Sequence, residues 1–116
     1  MIYEDIEKPY THYFIAFSGG EAAGFIGASL TIDTADITNV AVLPAFRRRG
    51  IARTLLLSME TRLKEKGARE IFLEVRRSAD AAVSLYKSAG FEEISVRRGY
   101  YREPREDALI MRREIF

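Results

Sequence analysis

The sequence predicts an α/β domain built on a mixed, largely antiparallel sheet with flanking helices, in the order β-β-β-α-β-α-β-β. Three observations predict it. Strand-like, alternating segments fill residues 11–42, broken only at Gly19-Gly20 and Asp33-Thr34. The apolar period then lengthens to that of a helix, at Ile51, Leu55, Met59 and Leu63. Beyond Gly67, strand-like and helix-like stretches alternate to the end of the chain. With 116 residues the chain has the size of one compact domain, so residues 1–116 are read as a single unit.

Each element has its own signal. From Thr11 to Ser18, Tyr13, Ile15 and Phe17 alternate with His12, Phe14 and Ala16, as a strand requires. Gly19-Gly20 is a hairpin turn, because glycine enters positive φ without a steric penalty. A second strand follows over Ala22–Ile32 and a third over Ala35–Val42, which makes an antiparallel meander. Ile51, Leu55, Met59 and Leu63 form one helical stripe, widened by Ala52 and Leu56 and ended by Gly67. Glu70–Arg76 returns to strand, with Ile71, Leu73 and Val75 on one side. Ser78 is placed to cap a second helix, Asp80 suits its positively polarised first turn, and Gly90 closes it. Phe91–Val96 and Ala108–Ile115 are the last strands, separated by the polar stretch RRGYYREPRED. No recognisable strand is expected before Thr11, so the sheet should begin there with an open edge.

Composition excludes several function classes. Hydrophobic residues make up 47% and charged residues 30%, the balance of a globular chain rather than a disordered one. The net charge of +1 argues against a dedicated nucleic-acid binder. No apolar run approaches the roughly 20 residues that span a bilayer, and no membrane partner is expected. MIYEDIEKPY lacks the basic-then-apolar pattern of a secretion signal, so a cytoplasmic protein is expected. The chain has no cysteine and a single histidine, His12, so no metal site is expected.

The stretch FRRRGIART stands where the third strand hands over to the first helix. Amides at a helix N terminus lack intrahelical acceptors, and the helix dipole adds partial positive charge there. Gly50 has no side chain to hold an anion away, and Arg47, Arg48, Arg49 and Arg53 add charge suited to a pyrophosphate. The spacing alone leaves a solvated corner equally open. Position alone also leaves Glu74 as an ordinary carboxylate on a half-exposed strand. Tyr86, by the same measure, is a core tyrosine with its hydroxyl at the edge.

Arg47-x-x-Gly50-x-Ala52, after NVAVLP and before the amphipathic helix, resembles the Q/R-x-x-G-x-G/A signature of the GNAT N-acetyltransferases. FLEVRRSADAAVSLYKSAGF and RRGYYREPREDALIM resemble one branch of that family, the RimI-type ribosomal-protein alanine N-acetyltransferases and related protein N-terminal acetyltransferases. The resemblance runs from about Tyr13 to Ile115 and implies a GNAT fold, shortened at its N terminus. It implies acetyl-CoA as co-substrate and an amine acceptor, a protein N-terminal α-amine such as that of a ribosomal protein. Val40, Ala41 and Val42 are then pantetheine contacts, and Arg48, Arg49, Gly50, Ile51, Ala52 and Arg53 form the phosphate turn. Glu74 matches the family's general base and Tyr86 its general acid; Tyr100 and Tyr101 match tyrosines that border the peptide groove. Two departures stand out. Ala79 replaces an asparagine that helps hold the cofactor, and the strand and helical arm that usually open the fold are not recognisable. The second departure predicts self-association through the exposed edge of the Tyr13–Ser18 strand. A small-molecule amine acetyltransferase of the same fold, or a non-catalytic acetyl-CoA-binding domain, are the alternatives.

Overall fold

The computed structural model describes residues 2–8 as backbone and residues 10–115 in full. Its strands are β1 (Ile2–Lys8), β2 (Thr11–Ser18), β3 (Glu21–Thr31), β4 (Thr34–Val42), β5 (Glu70–Arg76), β6 (Glu92–Arg102) and β7 (Arg105–Glu114). Two helices, α1 (Ile51–Glu65) and α2 (Asp80–Ser88), and a 3-10 turn over Pro44–Phe46 complete it. The strands form one sheet in the order β1-β2-β3-β4-β5-β7-β6. All pairings are antiparallel except β4 with β5, which α1 connects as a crossover.

One helical face explains the core. Ile51, Leu55, Leu56, Met59 and Leu63 of α1 are buried against small residues of the sheet, Ala16, Ala28 and Ala35 among them. Small side chains let the helix lie close, and each large one removed from water contributes about 1.5–3 kcal/mol. Ile71, Leu73 and Val75 of β5, with Leu109 and Met111 of β7, extend the same core beneath α2. Gly67 ends α1 at φ 96°, as its place in the sequence suggests.

The structure corrects four expectations. A strand precedes Thr11: β1 pairs antiparallel with β2 from Ile2↔Phe17 to Lys8↔Thr11. Its acids Glu4, Asp5 and Glu7 are poor strand formers, and pairing with a neighbour overrides that local preference. The β2 edge is therefore occupied, which removes the basis for self-association through it. Second, the polar stretch after Val96 is mostly ladder rather than loop. β6 continues to Arg102 through an irregularity between Arg97 and Tyr101, where Gly99 has φ 61°. Third, α2 is capped at its N terminus by Ala79 with no side-chain bond. The Ser78 backbone N–H donates instead to the Glu106 carboxylate. Fourth, the turn before β4 falls at Ile32-Asp33, not Asp33-Thr34.

Candidate active site

The sheet opens where it matters. β4 and β5 pair only over Thr34↔Glu70, Ala35↔Ile71 and Asp36↔Phe72. Beyond that rung β4 stays with β3 as far as Val42, while β5 stays with β7 as far as Arg76. A β-bulge helps them part: Ile37 faces Ala28 and Asn39 faces Gly27, leaving Thr38 as the extra residue. Bulges bend and twist the strand that carries them. The backbone of β4 from Thr38 to Val42 thus has no strand partner on its β5 side.

The arginine turn closes the helix side of this gap. Gly50 is the N-cap of α1 with φ 74° and ψ 14°, a left-handed conformation that favours glycine. A Cβ there would meet nothing within 4 Å, so open space adjoins the helix N terminus. The Gly50 carbonyl accepts the Thr54 N–H and hydroxyl at 3.0 and 2.9 Å, while no side chain caps the first turn. Arg47 Nε donates to the Val42 carbonyl at 3.2 Å and ties the turn to the strand end. Arg53 Nη1 donates to Ser88 Oγ at 2.9 Å, joining α1 to α2.

These elements enclose a cavity of about 550 Å³. Val40, Ala41 and Val42 line one wall, Arg47, Arg48 and Gly50–Arg53 the base, and Ala82, Leu85 and Tyr86 of α2 the other wall. Arg49 does not line it; its guanidinium stacks over Phe46 with 5.4 Å to the ring centre. Tyr86 is 8% exposed and meets Phe91 edge-on at 6.0 Å. Burial, with a smaller contribution from nearby Tyr101, pushes its hydroxyl above the ordinary value of 10.0, so it stays protonated at neutral pH.

A second cavity, of about 610 Å³, lies on the opposite face. Ile71, Leu73 and Val75 are buried toward the helices, so Phe72 and Glu74 project the other way. Glu74 lines this cavity with Asp36, Thr38, Arg97, Tyr100 and Tyr101. Its carboxylate pairs with Arg97 Nη1 at 3.4 Å. Hydrogen bonding to Glu74 raises the Tyr100 hydroxyl, whereas burial is the main cause for Tyr101. Arg76 stacks on its ring at 4.1 Å.

The structure therefore gathers all but one of the sequence-derived cofactor-turn residues in one cavity and Glu74, Tyr100 and Tyr101 in the other. Sequence reasoning missed Asp36, Thr38 and Arg97. Asp36 and Arg97 lack any local pattern that separates them from solvated surface charges. Among the described residues no cluster of three His, Cys, Asp or Glu side chains could hold a metal ion. No helix of the described residues is long and apolar enough to cross a membrane.

Comparison with known proteins gives a consistent picture. Residues 1–91 match the model of the acetyltransferase (GNAT) family. The N-alpha-acetyltransferase RimI of Mycobacterium tuberculosis is 38% identical over 114 residues, covering 95% of this chain and 70% of that protein. The [ribosomal protein bS18]-alanine N-acetyltransferase of Escherichia coli is 42% identical over 94 residues, covering 79% of this chain and 64% of the relative. The crystal structure of the ribosomal-protein-S18-alanine N-acetyltransferase from Escherichia coli superimposes with a TM-score of 0.88 at 37% identity, over 94% of this chain and 72% of that one.

Proposed function

The chain belongs to the acetyltransferase (GNAT) family, and from that premise we propose that residues 1–116 form one acetyl-CoA-dependent N-acetyltransferase domain acting on a protein N-terminal α-amine. The acceptor class follows the named activity of its relatives, alanine at the N terminus of a ribosomal protein. Such an acceptor would place the reaction in the cytoplasm. One observation carries the reading: two cavities on opposite faces of the sheet adjoin the gap between β4 and β5, one lined by Tyr86 and the arginine turn, the other by Glu74.

The residues fit the parts that the reaction needs. The unpartnered side of β4 at Val40, Ala41 and Val42 offers backbone groups to the pantetheine amides. Free amides at Ile51, Ala52 and Arg53, with the Arg48 charge, suit a pyrophosphate. The thioester then reaches the gap with the amine arriving from the far side, bordered by Tyr100 and Tyr101. Glu74 takes the proton of an α-amine whose pKa is about 7.7–8.0, so only a modest base is needed. The neutral nitrogen attacks the thioester carbonyl, the cationic nitrogen of the tetrahedral adduct sheds its second proton to solvent, and the adduct collapses to the amide as the C–S bond breaks. Tyr86 donates its proton to the departing thiolate. With ordinary values near 10 and 8.5 that transfer is uphill by about 2 kcal/mol, and the raised tyrosine makes it somewhat steeper.

Acetyl-CoA is incubated with the protein and a panel of alanine-initiated peptides, polyamines and amino-sugars, and the products are read by mass spectrometry. The proposal expects acetylation at the peptide α-amine. Turnover confined to the small amines would move the acceptor to that class. Binding of acetyl-CoA with no turnover on any amine would contradict catalysis.

A further inference from the structure

Asp36 stands on the last rung between β4 and β5, opposite Phe72. Residues in register on paired strands share a face, as do residues two apart on one strand. Asp36, Phe72 and Glu74 therefore project together, away from the helices, and all three line the 610 Å³ cavity.

The two carboxylates differ in what holds them. Glu74 is paired with Arg97 at 3.4 Å and shares the cavity wall with Tyr100. The Asp36 carboxylate forms no hydrogen bond or ion pair among the described residues. Partial burial, and after it the facing Glu74 charge, holds its carboxyl above the ordinary value of 3.8. Two carboxylates against one guanidinium leave the cavity short of positive charge, and a cation set between the acids relieves both burial and repulsion.

Resting on the reading of this cavity as the acceptor site, we propose that Asp36 is a specificity-determining residue whose carboxylate pairs with the ammonium group of the incoming substrate. An α-amine with a pKa of about 7.7–8.0 arrives largely protonated at neutral pH. It pairs with Asp36, then passes its proton to Glu74 and becomes the nucleophile. After transfer the nitrogen is a neutral amide and the ion pair no longer exists. Asp36 thus favours substrate over product and helps the acetylated chain leave.

The test measures binding by calorimetry, with CoA present, of one alanine-initiated peptide as the free amine and as its N-acetylated form. The wild-type chain should prefer the amine. Asp36→Asn should lose roughly tenfold to a hundredfold in amine affinity, the range of a hydrogen bond to a charged group, and leave the acetylated peptide unchanged. Asp36→Glu should keep the preference, and Asp36→Ser supplies the same comparison if the Asn variant folds poorly. Equal losses on both peptides, or no loss on the amine, would overturn the assignment. Acetyl transfer by the wild-type chain is measured separately. A failure of the reaction reading would show there as absent turnover, not as lost amine selectivity.

Discussion

Glu74 and Tyr86 lie on opposite sides of one sheet, either side of the gap that opens beyond the Asp36↔Phe72 rung. A proton acceptor and a proton donor placed this way serve two substrates that meet through the sheet. Tyr101 lines the cavity on the Glu74 side.

That arrangement separates chemistry from cofactor binding. Glu74→Gln should lower kcat by about 10²–10⁴ while leaving acetyl-CoA affinity unchanged, since Glu74 lies across the sheet from the turn. Tyr86→Phe removes only the hydroxyl and should also slow transfer, with the Phe91 contact retained. Steady-state rates at saturating substrate decide; wild-type values in both variants would remove both residues from the mechanism.

The phosphate turn has a conformational and a chemical requirement at the same position. Gly50→Ala should cost about 1 kcal/mol of stability from the left-handed backbone alone, because nothing crowds the new methyl group. Gly50→Asp adds negative charge beside the proposed pyrophosphate and should abolish most acetyl-CoA binding. Each lost charge-assisted hydrogen bond is worth roughly 1.5–3 kcal/mol. Calorimetry on the folded Asp variant checks this, and unchanged affinity would remove the turn from the cofactor site.

Much of this site is legible in the sequence, and the remainder is not for identifiable reasons. The period change at Ile51 and the glycine at position 50 report local geometry, so the turn and α1 fall where the pattern puts them. β1 is invisible because its acids hide a strand that exists only by pairing with β2. The β6–β7 ladder is obscured for the same reason: RRGYYREPRED reads as loop, although Asp107 receives the Gly99 N–H across the hairpin at 2.9 Å. The gap between β4 and β5 depends on a bulge at Thr38, and no local residue preference announces it. Asp36 joins the site only through parallel pairing with a strand more than thirty residues away, so spacing could not find it.

The same hairpin should make stability sensitive to acid. The Gly99 N–H bond, and then Arg77, holds the Asp107 carboxyl below its ordinary value of 3.8. Ser78 and Arg76 do the same for Glu106, below 4.5. A depressed folded value means the stabilisation is complete above the ordinary one and is lost as pH falls through the lower folded one. Asp107→Asn should therefore flatten the decline in thermal stability below about pH 4. Parallel curves for variant and wild type would contradict this.

Burial of the α1 stripe should dominate stability. Leu55 and Leu63 are both 0% exposed, and changing either to Ala should cost about 2–5 kcal/mol through lost transfer energy and a residual cavity. Leu57, on the outer face of the same helix and 46% exposed, should change little on the same substitution. Chemical denaturation of the three variants measures the contrast.

The central claim is that the two cavities communicate through the gap, and a single conjugate tests it. An alanine-initiated peptide linked through its α-nitrogen, by an acetyl bridge, to the sulfur of CoA would occupy both faces at once. Joining two ligands whose sites are contiguous raises affinity by about 10²–10⁴ over either alone. The account predicts that the conjugate binds at least a hundredfold more tightly than CoA or the peptide. It also predicts that Gly50→Asp weakens the conjugate, whereas Asp36→Asn leaves it unchanged, because the amide nitrogen of the conjugate carries no charge for Asp36 to pair with. Affinity no better than that of CoA, with the peptide half making no difference, would contradict it.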